Sequence, residues 1–201
     1  MSKKSKYDYD GKDSELGEAT EKEFDLAVAV KGVISRMPTK EQDRINCIDR
    51  ILEYPWAPGK YDYVQIKSQG SCDHVYYCVP IGLKMFGKKI NEGIFDKRWL
   101  ATVFAFERWL YNEFILVDVH KIRDYILKYF NLEETTTYDS VAQKKKKVYL
   151  REYKGKKDYL IYLSRSDLDI IGIEGVYHKA NGRPSGEKNV QSIEDWLNSD
   201  D

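Results

Sequence analysis

An amide and an ammonium two residues apart on one strand face can act together on a phosphate, and Gln65 and Lys67 have that spacing in KYDYVQIKS. Strand alternation puts Tyr63, Gln65 and Lys67 on one face and Asp62, Val64 and Ile66 on the other. The Gln oxygen can serve a metal ion or its water. The Lys ammonium can stabilise developing negative charge or orient an attacking water. A polar pair facing solvent would give the same pattern with no chemistry at all.

Other residues of reactive type are less well placed. Cys72, Asp73, His74 and Cys78 carry metal-binding side chains, and His120 or His178 could add a ligand. Their C-x-H-x3-C spacing is not a recognised zinc pattern, and on a strand the ligands would alternate faces. With Cys47 the cysteines number three, so they cannot all pair, which fits free thiols in a reducing compartment. Lys144, Lys145, Lys146 and Lys147 form a continuous basic run, and Lys154, Lys156 and Lys157 occupy the tip of an expected hairpin. With Tyr149 and Tyr153 for stacking, they could make a phosphate-binding edge for nucleic acid. A solvated loop is the plainer explanation. The scattered glycines form no phosphate-binding or dinucleotide fingerprint, so nucleotide-dependent enzyme classes rank low.

The elements that must position these groups follow from periodicity. Residues 1–19 are polar and read as a flexible arm. Thr20 with Glu23 has the capping-box pattern, and Leu26, Val30, Val33 and Met37 then predict a helix over 21–36, ended by Pro38. Thr39 with Gln42 is a second capping box. The stretch after it favours a helix, although Ile48, Arg50, Leu52 and Tyr54 also alternate as a strand would. PWAPG is a turn, 61–68 a clear strand, and HVYYCVPIGL a second strand that Pro80 should terminate. GKKINEGIFD reads as a loop. Trp99, Val103, Phe106 and Leu110 predict an apolar helix over 97–111. Then come a buried strand EFILVDV, an amphipathic helix HKIRDYILKYF, a polar loop over 131–147, a hairpin over 148–165, the apolar segment IIGIEGVYH, and a short terminal helix at IEDWL.

DYVQIKS resembles the (D/E/Q)-x-K half-motif of the PD-(D/E)XK nuclease superfamily, in which a carboxylate or Gln and a Lys end a core strand. The order of elements over residues 20–120 is also similar to that family's helix, strands, helix and strand. The resemblance implies Mg²⁺ held beside the motif by an acid on the preceding strand. Asp49 would be that acid if 48–54 is a strand, because the PWAPG turn would bring it opposite Gln65. Asp62 is the alternative, turned inward only by a bulge or strand end. Glu23 could add a carboxylate from the first helix, as in some members of the family. The implied site is therefore Lys67 and Gln65 with Asp49 or Asp62, the metal resting on Asp49, Asp62 and Gln65.

Bulk composition agrees with one ordinary domain of mixed α/β (α+β) class, a central mixed sheet flanked by helices over 20–178, with a C-terminal hairpin extension and a tail over 179–201. At 42% apolar the chain can fill a core. Its 33 Lys and Arg balance 33 Asp and Glu, which counts against coating nucleic acid or membrane by charge alone but leaves room for a local basic groove. No run reaches the length of a membrane span, and the N-terminus lacks the apolar stretch of a secretory signal. A cytoplasmic protein, or a virus-encoded one in an infected cell, is the expectation. Beside a nuclease stand a non-catalytic nucleic-acid-binding protein, including a winged-helix-like module over 97–165, and a protein-interaction factor.

Overall fold

A computed structural model describes residues 12–68, 76–85, 88–108, 111–138, 142, 144–153 and 156–179. Helix α1 (Lys12–Ala29) is followed by strand β1 (Ile34–Arg36), helix α2 (Lys40–Arg44) and strands β2 (Arg50–Glu53), β3 (Tyr61–Lys67), β4 (Tyr76–Met85) and β5 (Lys88–Asn91). A 3-10 turn (Gly93–Phe95) leads to β6 (Val103–Arg108), β7 (Glu113–Asp118), α3 (Val119–Tyr129), β8 (Asn131–Thr136), β9 (Lys147–Tyr153), β10 (Lys156–Ser164), α4 (Arg165–Ile171) and β11 (Gly175–His178). The class is mixed α/β, as composition and pattern predict, but with two mixed sheets in place of one.

The first sheet has the order β1-β2-β3-β6-β7-β11, with β3 and β6 parallel and every other pair antiparallel. The second runs β5-β4-β10-β9-β8. The hairpin of β9 and β10 is thus not an extension; β10 pairs along β4 and completes the second sheet.

Segment 97–111 is the largest departure from the expected elements. Instead of a helix it contains β6, a central strand buried at every position. Val103 and Ala105 join Phe24, Val28, Leu52, Val64 and Phe114 in a core under α1. Phe104 and Phe106 point the other way, into a core shared with Tyr77, Val79, Ile161 and Leu163 of the second sheet and with Ile122 and Ile126 of α3. A strand buried on both faces is apolar all round, so it carries no period that separates it from a buried helix. Without that helix, the winged-helix arrangement over 97–165 is not formed.

Four smaller corrections have local causes. Helix α1 spans Lys12–Ala29 rather than 21–36, so 12–19 is helical. Thr20 lies inside the helix and donates its hydroxyl to the Leu16 carbonyl at 2.9 Å. Pro80 does not end β4. Leu160 faces Pro80 and Tyr159 faces Gly82, leaving Ile81 as the extra residue of a bulge, and β5 pairs only with Leu83, Lys84 and Met85, so the missing Pro80 N–H breaks no ladder on that side. β5 and the 3-10 turn replace the loop read from GKKINEGIFD, and β8 begins the segment read as a polar loop. The expected helix at IEDWL lies outside the described residues. None of the described helices is long and apolar enough to cross a membrane.

Candidate functional site

The capping box at Thr39 is formed on both sides: Gln42 N–H donates to Thr39 Oγ1 at 3.2 Å and Thr39 N–H donates to Gln42 Oε1 at 2.8 Å. The helix it starts is only one turn long. Cys47, with φ of 57°, reverses the chain. Two bonds brace this reversal: Asn46 Nδ2 donates to the Arg98 carbonyl at 2.9 Å, and Leu100 N–H donates to the Asn46 carbonyl at 3.0 Å. Asp49 N–H then donates to the Val64 carbonyl at 2.7 Å, and β2 continues in register with Arg50 opposite Val64. That register sets Asp49 across from Gln65.

The Asp49 carboxylate meets β3 directly. Its Oδ2 accepts from Gln65 Nε2 and from Ile66 N–H, the latter at 2.6 Å. Its other oxygen accepts no hydrogen bond from a described residue. Burial pushes the Asp49 carboxyl up from its ordinary pKa, while the Lys67 ammonium and the Ile66 N–H pull the other way. Lys67 forms no ion pair with a described residue, so its charge is felt by Asp49 without direct contact. Cys47 and Cys78 stand around the same ammonium; burial raises both thiols and Lys67 is the largest opposing influence on each.

Three of the expected site residues therefore converge: Asp49, Gln65 and Lys67. Asp62 does not join them. It lies on the other face of β3, where Tyr54 donates its hydroxyl to Oδ2 at 2.6 Å and the Thr102 hydroxyl stands 3.5 Å from Oδ1. No bulge turns it inward, because β3 keeps regular register with β2 through Asp62 opposite Leu52. Glu23 is also elsewhere, accepting from the Lys179 ammonium at 2.6 Å.

Sequence reading missed Glu21. Arg50, 4% exposed, faces α1 and pairs with Glu21 at 2.8 Å and Asp25 at 2.8 Å. Burial raises the Glu21 carboxyl, Arg50 lowers it, and the charge of Asp49 raises it again, so the two acids sense each other through the sheet edge. The signal was present: an Arg one residue after a strand acid must face the opposite side, and a helix covering that side should answer with carboxylates one turn apart.

The basic run is largely committed to structure. Lys146 bonds Asp167 at 2.5 Å and lies over the Phe130 ring, and Lys147 pairs with Glu134. Lys144 and Lys145 are exposed at the β9 end of the second sheet, two strands from β4. Lys157 pairs with Glu152 at 2.6 Å and Lys156 with Asp158 at 3.3 Å; Tyr149 packs on Tyr162. Lys154 and the Tyr153 side chain lie outside the described residues, as do Cys72, Asp73 and His74. His178 stands 3.3 Å from Glu113, and no group of three His, Cys, Asp or Glu suited to a metal occurs among the described residues.

The donor set at Asp49 still fits one hard cation. Mg²⁺ commonly takes one or two carboxylates and keeps waters or substrate phosphate oxygens in its other positions. Asp49 Oδ1 and Gln65 Oε1 are oxygen donors left without hydrogen bonds from described residues, on one face of the sheet. Comparison with protein-family models, curated proteins and solved structures returned no match to this chain.

Proposed function

We propose that this chain is a metal-dependent, nuclease-like protein acting on nucleic-acid phosphodiester bonds, in the manner of the PD-(D/E)XK enzymes it resembles. The observation that carries this reading is the meeting of Asp49, Gln65 and Lys67 on one sheet face, with the carboxylate half-buried and its counter-charge close but paired with no described residue. Mg²⁺ at Asp49 Oδ1 and Gln65 Oε1 would supply Lewis acidity and a water of lowered pKa. Asp49 provides fixed negative charge that burial makes costly until a cation neutralises it. Gln65 orients Asp49 through its amide N–H and offers its own oxygen. Lys67 opposes the charge that develops on the phosphorus oxygens and holds the attacking water in line. A setting that keeps Cys47 and Cys78 reduced, such as cytoplasm, suits the chain.

The test is cleavage of labelled single- and double-stranded DNA and RNA with Mg²⁺ or Mn²⁺. Wild type should cut, and Lys67→Ala should lose roughly 10²–10³-fold, the scale for removing one preorganised donor. Folded wild-type protein that cuts none of these substrates with either metal would end the nuclease reading. A second reading, a nucleic-acid-binding protein without catalysis, is favoured by one observation: among the described residues meeting at Lys67, Asp49 is the one carboxylate, and Gln65 already donates to it. It predicts binding that is indifferent to metal, with Lys67→Ala weakening binding only.

A further inference from the structure

Beside Asp49 the chain forms a small open cleft, about 130 Å³, lined by residues that include Arg44, Cys47, Asn91, Asp96, Arg98 and Trp99. Cys47 joins it to the site: it lines the cleft and stands two residues before Asp49. The walls are firmly built. Gly93 has φ of 55°, and a Cβ there would overlap the Pro80 carbonyl, so the turn sits directly on β4. Asp96 is gripped by the Arg98 guanidinium at 2.7 and 2.9 Å and by its N–H at 2.9 Å, which holds the Asp96 carboxyl well below the usual range. Asn91 Oδ1 accepts from Gly93 N–H at 3.1 Å, leaving the amide nitrogen as a donor.

Hydrogen-bonding capacity is lopsided here. Asp96 is neutralised by Arg98, whereas Arg44 forms no ion pair with a described residue. Trp99 is 7% exposed, and its indole N–H finds no acceptor among the described residues. A buried donor left unmade costs free energy that a ligand oxygen would recover. Of the charged side chains in the lining, Arg44 and Arg98 outnumber Asp96, so their summed charge is positive.

We propose that this cleft binds a phosphate group, namely the backbone phosphate next to the one presented to Lys67, through Arg44, Asn91 and the Trp99 indole N–H. The inference deepens the nuclease reading and rests on it for the identity of the ligand, but its test needs neither metal nor cleavage. The cleft, rather than the Lys144–Lys147 run, would then fix the register of the strand at Asp49. Phosphate contacts of this kind position a strand without reading its sequence.

The indole resonances of the four tryptophans provide the readout, with Trp99 assigned by its loss in Trp99→Phe. In EDTA, a tetranucleotide added to wild type should shift the Trp99 indole N–H downfield, and Arg44→Ala should weaken that titration about tenfold. The salt dependence of binding should fall by about one phosphate contact in Arg44→Ala and stay unchanged in Trp99→Phe. Lys40→Ala, at the exposed start of α2, serves as control and should behave as wild type. Inorganic phosphate alone separates the two sources of the group. If it moves the same resonance as tightly as the tetranucleotide does, the cleft takes free phosphate and the backbone assignment is overturned. A tetranucleotide that leaves the Trp99 resonance in place, whether or not it binds elsewhere, overturns the site. Binding at Trp99 with no cleavage under any metal would uphold the cleft and end the nuclease reading alone.

Discussion

Two charged sites on opposite faces of the six-stranded sheet are built in opposite ways. Under α1 the buried cations among the described residues are answered by carboxylates, Arg50 by Glu21 and Asp25 and Lys179 by Glu107 at 2.5 Å and Glu23 at 2.6 Å, as Arg108 is by Glu113 on the other face. Lys179 and Glu107 have side chains only 2% and 1% exposed, and each would be prohibitively costly alone. On the opposite face Asp49 is taken partly out of water, receives two hydrogen bonds on one oxygen, and has its nearest helpful cation, Lys67, out of contact. A closed cluster of ion pairs has nothing left to bind with. An acid left short of positive charge, beside an ammonium that pairs with no described residue, is what a cation and a phosphate together would complete.

The largest expected effect separates the two faces by stability. Lys179→Ala removes the cation that Glu107 and Glu23 share from beside a buried carboxylate, at a cost of about 3–5 kcal/mol, or roughly 10 °C in Tm. Cleavage per folded molecule should survive it. Asp49→Asn should abolish metal-dependent cleavage with no fall in Tm, since the Asn oxygen can still accept from Gln65 and Ile66. Thermal melts beside cleavage assays decide the matter: if Asp49→Asn unfolds the protein as Lys179→Ala does, the contrast between the faces is lost and Asp49 is structural.

Acidity sharpens the same contrast. Because burial holds the folded-state pKa of Asp49 above its unfolded value, the folded form binds the proton more tightly. Stability is therefore lost as pH rises from the unfolded value through the folded one, and the deficit is complete above it. Asp49→Asn should be more stable than wild type at pH 7, with the advantage vanishing below about pH 4. Mg²⁺ should stabilise wild type by about 2.7 kcal/mol at a hundredfold excess over its Kd. The Asn variant should not respond. Melts across pH with and without Mg²⁺ measure both; equal responses of the two proteins would remove the metal from Asp49.

Sequence alone disclosed the strand with Gln65 and Lys67, because a half-buried strand alternates; the stretch holding Asp49 favoured a helix, and Asp49 entered only as the acid the resemblance implies if that stretch is a strand, as β2 is. It did not disclose β6, since Val103 to Phe106 are apolar toward both cores and periodicity vanishes where both faces are buried. Asp62 was kept as an alternative because its polarity does not say which face of the sheet it serves; only the bonds from Tyr54 and Thr102 decide that. Lys146 and Lys147 looked free for the same reason: their partners Asp167 and Glu134 lie 21 and 13 residues away. The α1 acids were misassigned by phase. A capping pattern at Thr20 moved the helix start nine residues late, and Glu23 was read as a possible site group where Glu21 pairs with Arg50 instead.

The smallest effect tests how the open face acquires its geometry. Cys47 holds φ of 57°, a region that disfavours side chains with a branched Cβ most strongly, and this reversal carries the chain from α2 into Asp49. Cys47→Gly removes the steric cost but also a side chain packed against the main core, so its stability should stay within about 1 kcal/mol of wild type. Cys47→Val adds branching where it is least tolerated and should cost about 2 kcal/mol. The chain can relieve that cost only by rotating the turn, and Asp49 moves with it. Cleavage by the Val variant should therefore fall further than its folded fraction, while the Gly variant cuts as wild type. Equal cleavage by both folded variants would mean that the bonds from Gln65 and Ile66, not the turn at Cys47, place the carboxylate.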